Sequence, residues 1–254
     1  MSAPWWQTLY DDLLADMLLE RGDSNEVPRT LAFLTQKLGL RDGSRVFDQC
    51  CGIGSLALPL ARSGCDVCGV DLIRSYVARA RADAERAGLV LDLAIGDAFD
   101  FVPAAPCDAA FNWWTSFGYA EDDATNAKML ICAHDAIRPG GRFALDFMNV
   151  PGVLHRFAET VVSDRTTRRG PTRLTRTSQY DPGPGLIHKV WHYEFAGGEP
   201  VVHRSTVRAY TPPELTTLAR AAGLVEIELY GDLDGSALTL HSPRCILTAR
   251  RPAS

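Results

Sequence analysis

Asp48-Gln49-Cys50-Cys51-Gly52-Ile53-Gly54 closes a short apolar run and opens onto a helical stretch that begins at Leu56. Gly52-x-Gly54-x-x-Ala57 satisfies the G-x-G-x-x-G/A spacing, in which a strand turns into a helix and offers backbone N–H groups to a nucleotide. Asp71 follows Gly52 by nineteen residues, near the roughly 20 at which an acid meets ribose hydroxyls. That spacing alone does not choose among cofactors.

The aspartate in front of the turn bears on the choice. A dinucleotide sets a pyrophosphate against the turn and the helix N-terminus, where positive potential welcomes it, and a carboxylate beneath would oppose it. Asp48 stands four residues before Gly52, at the carboxyl end of the first strand, where ligands gather in open α/β sheets. A nucleoside cofactor carrying sulfonium and ammonium charge suits that carboxylate better.

Outward from the turn, strands and helices alternate. Two helices, Leu9 to Glu20 and Val27 to Leu38, precede strand Arg45 to Asp48. Then come helix Leu56 to Ser63, strand Asp66 to Val70, helix Ser75 to Ala87, strands Val90 to Ile95 and Ala109 to Asn112, helix Asp123 to Ile137 and strand Arg142 to Phe147. Such alternation predicts a parallel, doubly wound sheet. Beyond Asn149 the chain turns rich in Thr, Arg, Val and aromatics, with turns at Asp181-Pro182-Gly183 and Gly197-Gly198, so a small antiparallel sheet is expected over Val161 to Tyr210. Helix Pro212 to Ala222 and strands Val225 to Tyr230 and Cys245 to Arg250 complete the main sheet. This reads as one domain over 1–254: a helical lid over 1–40, a cofactor-binding core over 41–150, a cap over 155–211 and a sheet-completing segment over 212–254.

Across 254 residues, 46% are hydrophobic and 22% charged, ordinary values for a globular core. A net charge of −5 disfavours a nucleic-acid partner, which requires a dense basic surface. The opening MSAPWWQTLYDDLLADMLLE has no basic leader and no long apolar run, so a cytoplasmic protein with no membrane partner is expected. Seven cysteines, with Cys65-x-x-Cys68 lacking a second pair of that spacing, read as reduced structural thiols rather than a zinc site.

VFDQCCGIG, GVDLIRSYVARAR, GDAFDF, FNWWTSFGY and RPGGRFALDFMN, in that order, resemble the class I S-adenosylmethionine-dependent methyltransferases along essentially the whole chain. The resemblance implies a Rossmann-like doubly wound methyltransferase sheet with an N-terminal helical lid and an antiparallel β cap inserted after strand 5. It also implies S-adenosyl-L-methionine as cofactor, with Asp48, Cys50, Gly52 and Gly54 around its methionine part and Asp71 on the ribose. Asp97 and Ala98 would contact adenine, Leu72 would pack on its face, and Asn112, at the end of the fourth strand, would belong to the cofactor-binding residues. Cys50 departs from the small residue more usual at its position. Asn112-Trp113-Trp114 lacks the two prolines of the DNA and protein-amide enzymes, and lacks the acid of the metal-dependent catechol enzymes, so no metal is expected.

WWQTLYDDLLA, NWWTSFGY, RAYTPPEL and YGDLDGSALTLHSPR sharpen the likeness towards small-molecule N-methyltransferases of lincosamide and amino-sugar biosynthesis. That branch implies methyl transfer to an amine of a small, antibiotic-type specialised metabolite. Tyr10 and Phe117 are the expected catalytic rings, since ring faces stabilise sulfonium charge by about 0.5 to 2 kcal/mol. Trp6, Trp113 and Tyr119 read as core. His155 and His241 are placed at the ligand end without a catalytic role. Arg165, Arg168, Arg169, Arg173 and Arg176 read as a solvated face of the cap, with an anion-binding patch as the alternative. The rival functions are O- or C-methylation of a phenolic or heteroaromatic acceptor, a nicotinamide-dependent dehydrogenase, and a non-catalytic nucleoside binder; the acceptor's identity and a homo-oligomeric state stay open.

Overall fold

A computed structural model describes residues 4–19 and 25–253. Strand β1 (Arg45–Gln49) occupies the middle of a seven-stranded sheet because its side chains are apolar on both faces. Val46 joins the cluster holding Phe33, Leu34, Leu56 and Leu60, while Phe47 joins the one holding Met129, Leu130, Leu215 and Phe143. Helices α3 (Glu26–Leu38), α4 (Ala57–Arg62) and α5 (Arg74–Arg86) thus cover one face, and α6 (Asp123–Ala136) and α8 (Pro212–Ala221) the other.

β2 (Asp66–Asp71) and β3 (Asp92–Ile95) extend the sheet on one side of β1. β4 (Cys107–Asn112), β5 (Ile137–Phe147), β11 (Cys245–Arg250) and β10 (Val225–Tyr230) extend it on the other. The order reverses at β1, which is paired in parallel with both β2 and β4, so a ligand crevice opens above their carboxyl ends.

Four features depart from, or add to, what the sequence implies. β11 runs antiparallel to both β5 and β10, because β10 returns through the irregular residues 231–244 without a crossover helix. β5 does not stop at Pro139-Gly140-Gly141 but reaches back to Ile137 across a register shift against β4. The first helix breaks at Tyr10 into α1 (Trp6–Leu9) and α2 (Asp12–Leu14), since Asp11 caps a new start by accepting from Leu14 N at 2.8 Å; a π turn, Ala15–Leu19, follows, and Glu20 lies outside the described residues. The short helix α7 (Val150–His155) leads from β5 into the cap and carried no periodic signal in the sequence.

The cap is a separate antiparallel sheet of β6 (Thr160–Thr167), β7 (Gly170–Asp181), β8 (Leu186–Phe195) and β9 (Val201–Arg208). Leu174, Trp191 and Tyr193 on its inner face bury Leu9, Leu13, Leu14 and Met17 of the N-terminal segment. The arginine-rich strand is less solvated than expected. Arg168 grips Asp16 with paired bonds of 2.9 Å and Asp12 at 2.7 Å, and Arg165 donates to the carbonyls of Asp16 and Met17.

All seven cysteines are free, and Cys65 and Cys68 do not act as a pair: Cys68 Sγ lies 3.4 Å from Cys107 Sγ. No group of three or more candidate metal ligands occurs among the described residues, and none of their helices is long and apolar enough to cross a membrane.

Candidate active site

The loop from β1 to α4 is shaped by backbone demands. Cys50, Gly52 and Gly54 all take positive φ, at 66°, 54° and 80°. Only glycine adopts that region freely, so Cys50 carries local strain of order 1 kcal/mol. A side chain on Gly54 would meet Cβ of Ala80 on α5 at 3.1 Å, so this glycine sets the approach of loop to helix and is not among the described residues lining either cavity of the site.

Asp71, at the end of β2, is pinned by two backbone donors, Gly52 N to Oδ2 at 2.8 Å and Ile73 N to Oδ1 at 2.9 Å. Burial raises its carboxyl above the usual range and those two hydrogen bonds pull it back. A carboxylate has about four acceptor sites, so capacity remains for two hydroxyls. Asp48 is different. It is 4% exposed, accepts no hydrogen bond from a described residue, and is held well above the usual carboxylate range by burial and then by Asp71.

Two adjoining cavities share Tyr10, Cys50, Ser116 and Tyr119. The larger, about 500 Å³, is walled by the β1 turn, the loop after β4, the N-terminal segment and the inner face of the cap, and contains Asp48, Cys50 and Gly52. The smaller, about 70 Å³, contains Asp71, Leu72, Asp97, Ala98 and the ring of Trp6. Asp97 is oriented there by Phe99 N at 3.0 Å. Asn112 lies behind the site: its amide bonds Gln49 Oε1 at 3.2 Å and Ser116 O at 3.3 Å, bracing the loop that carries Cys50's neighbour Ser116.

Tyr10 and Tyr119 join the two cavities. Their hydroxyls are hydrogen-bonded and their rings stack at 5.9 Å. Burial pushes both phenols well above their ordinary value, so they stay protonated at neutral pH and can orient a partner without deprotonating it. Phe117 corrects an expectation. It is 0% exposed, packs on Phe147 and Tyr210, and belongs to the core cluster of α6 and α8 rather than to either cavity. The loop reverses direction at Trp114 and Thr115, both at positive φ, which delivers Tyr119 to the site and Phe117 to the core.

Trp114 and Thr115 hold their strained backbone by donating to Asp146 at the end of β5. Asp146 and Glu26 both engage Arg244, at 2.8 and 2.6 Å. This triad was invisible in the sequence because its members lie on three distant segments. His155 and His241 meet edge to face at the surface, their ring centroids 5.7 Å apart, and no histidine is among the described residues lining either cavity.

Residues 46–141 match the family described as a methyltransferase domain. The match covers less than half of the chain. The domain spans β1 to the middle of β5 and contains Asp48, Asp71, Asp97 and the loop after β4. Over 113 residues the chain is 39% identical to the S-adenosyl-L-methionine-dependent Diels-Alderase iccD of Talaromyces variabilis, a match that covers 42% of this chain and 37% of that protein. The match therefore spans little more than a third of that curated relative. Among solved structures, the CcbJ methyltransferase from Streptomyces caelestis superposes with a TM-score of 0.78 at 20% identity, over 95% of this chain and 97% of that one. The sugar N-methyltransferase KedS8 from Streptoalloteichus sp ATCC 53650 superposes at 0.70 and 19% identity, over 91% and 90%. At these identities the shared property is the fold, and it includes the lid and the cap as well as the methyltransferase domain.

Proposed function

We propose that the protein is an S-adenosylmethionine-dependent methyltransferase that methylates an amine of a small specialised metabolite. The observation that carries the cofactor is the contrast of Asp48 and Asp71 at adjacent strand ends. Asp71 is backbone-pinned with acceptor capacity left for hydroxyls, and Asp48 is a buried carboxylate without a hydrogen-bond donor. Hydroxyls fit the first and a cation fits the second. Leu72, Asp97 and Ala98 then offer an apolar wall and a polar end to the base. Bound there, S-adenosylmethionine would supply an electrophilic methyl group on a sulfonium.

The acceptor side follows from the larger cavity, whose volume is that of a small-molecule site. Cap and N-terminal segment wall it on two sides. An amine with a pKa near 10 must be held neutral at pH 7, a shift of about 3 units or roughly 4 kcal/mol, and burial shifts amines by up to about 3 to 5 units. A phenol oxygen of the protonated Tyr10–Tyr119 pair can accept a hydrogen bond from an N–H of that amine and so orient its lone pair. A phenol would instead need a base, and the described lining offers no histidine. The shared fold with KedS8, a sugar N-methyltransferase, favours nitrogen in the same way.

A second reading has one observation behind it, the match to a Diels-Alderase that also depends on S-adenosylmethionine. In that reading the cofactor's methyl group stays in place. Calorimetry with S-adenosylhomocysteine and NAD tests the cofactor: binding of NAD alone removes the proposal. Incubation of amine and phenol panels with methyl-labelled S-adenosylmethionine, followed by mass spectrometry, tests the transfer, and label found only on oxygen or carbon overturns the choice of nitrogen.

A further inference from the structure

The cap presents one face inward, where Leu174, Ile187, Trp191, Tyr193 and Val207 are buried. Side chains alternate across a strand, and the register Leu174↔Tyr193, Arg176↔Trp191, Ser178↔Lys189 puts Arg176 and Lys189 on that same face. Arg173, of opposite parity, points out to solvent and pairs with Asp164 at 2.8 Å. Both inward cations line the larger cavity. No carboxylate of a described residue forms an ion pair with either, Nε of Arg176 is buried without a hydrogen-bond partner, and both groups lie over the Trp191 ring, at 5.6 and 6.0 Å. Burial lowers both from their ordinary values, and Arg176 lowers Lys189 further. Arg244 on the same cavity is in contrast already neutralised by Glu26 and Asp146.

Two cations on the inner face of a sheet, without counter-charge, destabilise the free protein. Solvent would have solvated them at no cost one residue along. We propose that Arg176 and Lys189 form a subsite for an anionic group of the acceptor, a carboxylate or a phosphoryl group, entering from the cap side. The planar guanidinium offers paired donors, the ammonium a point charge, and Trp191 a floor beneath both. This deepens the reading of the larger cavity as the acceptor site and rests on it. The acceptor is then zwitterionic or anionic overall, its reacting nitrogen at the Tyr10–Tyr119 end.

The test uses three probes of similar shape, benzoate, phenyl phosphate and neutral benzamide. Each is titrated by NMR into the full chain, with and without S-adenosylhomocysteine, as wild type, Arg176→Met, Lys189→Met and Arg173→Met. At least one anion should bind wild type about tenfold or more tighter than benzamide. That preference should vanish in Arg176→Met and Lys189→Met and persist in Arg173→Met, and the anion that binds tells carboxylate from phosphoryl. Both inward variants should melt higher than wild type without ligand, since an uncompensated cation is replaced by an apolar chain; a merely structural role would lower the melting point. Equal binding of the three probes, no binding of either anion, or a preference that survives both inward variants overturns the subsite. Binding of S-adenosylhomocysteine on the same samples reports the cofactor reading separately, and the titrations without it judge the subsite even if that reading fails.

Discussion

The turn after β1 and the lid that closes over it line one cavity but are held in opposite ways. Cys50 to Gly54 is fixed by backbone: positive φ angles, the register of β1 with β2, and the amides of Gly52 and Ile73 on Asp71. The lid is fixed by side chains from remote segments, Tyr10 on Tyr119 and Arg168 on Asp16, separated by 109 and 152 residues. A backbone-built site changes only if the sheet changes. A side-chain-built one can be re-specified, or loosened, by single substitutions. Cofactor chemistry is thereby separated from acceptor choice within one cavity.

Asp71→Ala attacks the backbone-built side and should have the largest effect. It strips an acceptor from two loop amides and from the ribose hydroxyls proposed to meet it, and each charged hydrogen bond is worth about 1.5 to 3 kcal/mol. Calorimetry should show S-adenosylhomocysteine affinity falling about a hundredfold or more. An unchanged affinity would break the comparison at its firmest point. Asp48→Asn sharpens it: removing a buried carboxylate without a donor should raise the melting point of the free protein while weakening S-adenosylmethionine. Because burial raises the Asp48 carboxyl, the ionised form that attracts a cation is gained only as pH rises through that elevated value. Affinity of wild type for S-adenosylmethionine should accordingly climb with pH, and the Asn variant should lose most of that dependence.

Tyr10→Phe and Tyr119→Phe probe the seam between the two sides, with a loss of about tenfold in turnover for each, or about 1.4 kcal/mol. The hydroxyls act as one pair, so the double variant should lose little more than either single one. Losses that multiply would mean separate roles. A pH profile of the rate adds a check, since both phenols stay protonated through neutral pH and neither should contribute a titration below about pH 9.

How far the two sides were legible beforehand follows from the same difference. Asp48, Gly52, Gly54, Asp71 and Asp97 lie at strand ends whose order and spacing are local, and strand register alone brings Asp71 to Gly52. The choice between Phe117 and Tyr119 was not legible. It depends on where the loop between β4 and α6 reverses, and that is decided by Asp146 holding the backbone of Trp114 and Thr115 from another strand. Arg176 and Lys189 were partly legible: their parity with Leu174 and Tyr193 is written in the sequence, but which face of the cap turns inward is not. The break of the first helix at Tyr10 was partly legible in the same way: Asp11 is a local helix-start residue, but the contacts of the two halves with the cap sheet are tertiary.

Arg168→Ala loosens the lid alone and should cost only a few-fold in turnover. Its guanidinium is half in solvent, although Asp16 is nearly buried, and ion pairs of so exposed a group contribute about 0.2 to 1 kcal/mol each. The effect should fall on KM for the acceptor, with S-adenosylhomocysteine affinity nearly unchanged. Arg168 holds Asp16 below the usual carboxylate range, so the contribution of this contact is complete above about pH 4 and is lost as pH falls through the lowered value. Proteolysis of the N-terminal segment should therefore accelerate in wild type at acid pH, and Arg168→Ala should cleave fast at every pH.

Phe117→Leu should have the smallest effect on turnover and is the sharpest check on which ring belongs to which region. Phe117 is fully buried between Phe147 and Tyr210, in the cluster that joins α6 and α8 to the sheet. Shortening it leaves a small void, and partial relaxation around a leucine should limit the loss to about 1 to 2 kcal/mol, below the 3 to 5 of a truncation to alanine. That corresponds to a melting point lower by a few degrees for a chain of this size. Turnover at saturating cofactor and acceptor, measured well below that melting point, should stay within about twofold of wild type, because the ring touches neither cavity. Were turnover instead to drop as far as in Tyr119→Phe with the fold intact, the loop after β4 would have to present Phe117 to the acceptor during the reaction. The strained pair Trp114 and Thr115 would then be the hinge that brings it there, and the division into a backbone-built cofactor side and a side-chain-built lid would fail at the one loop that serves both.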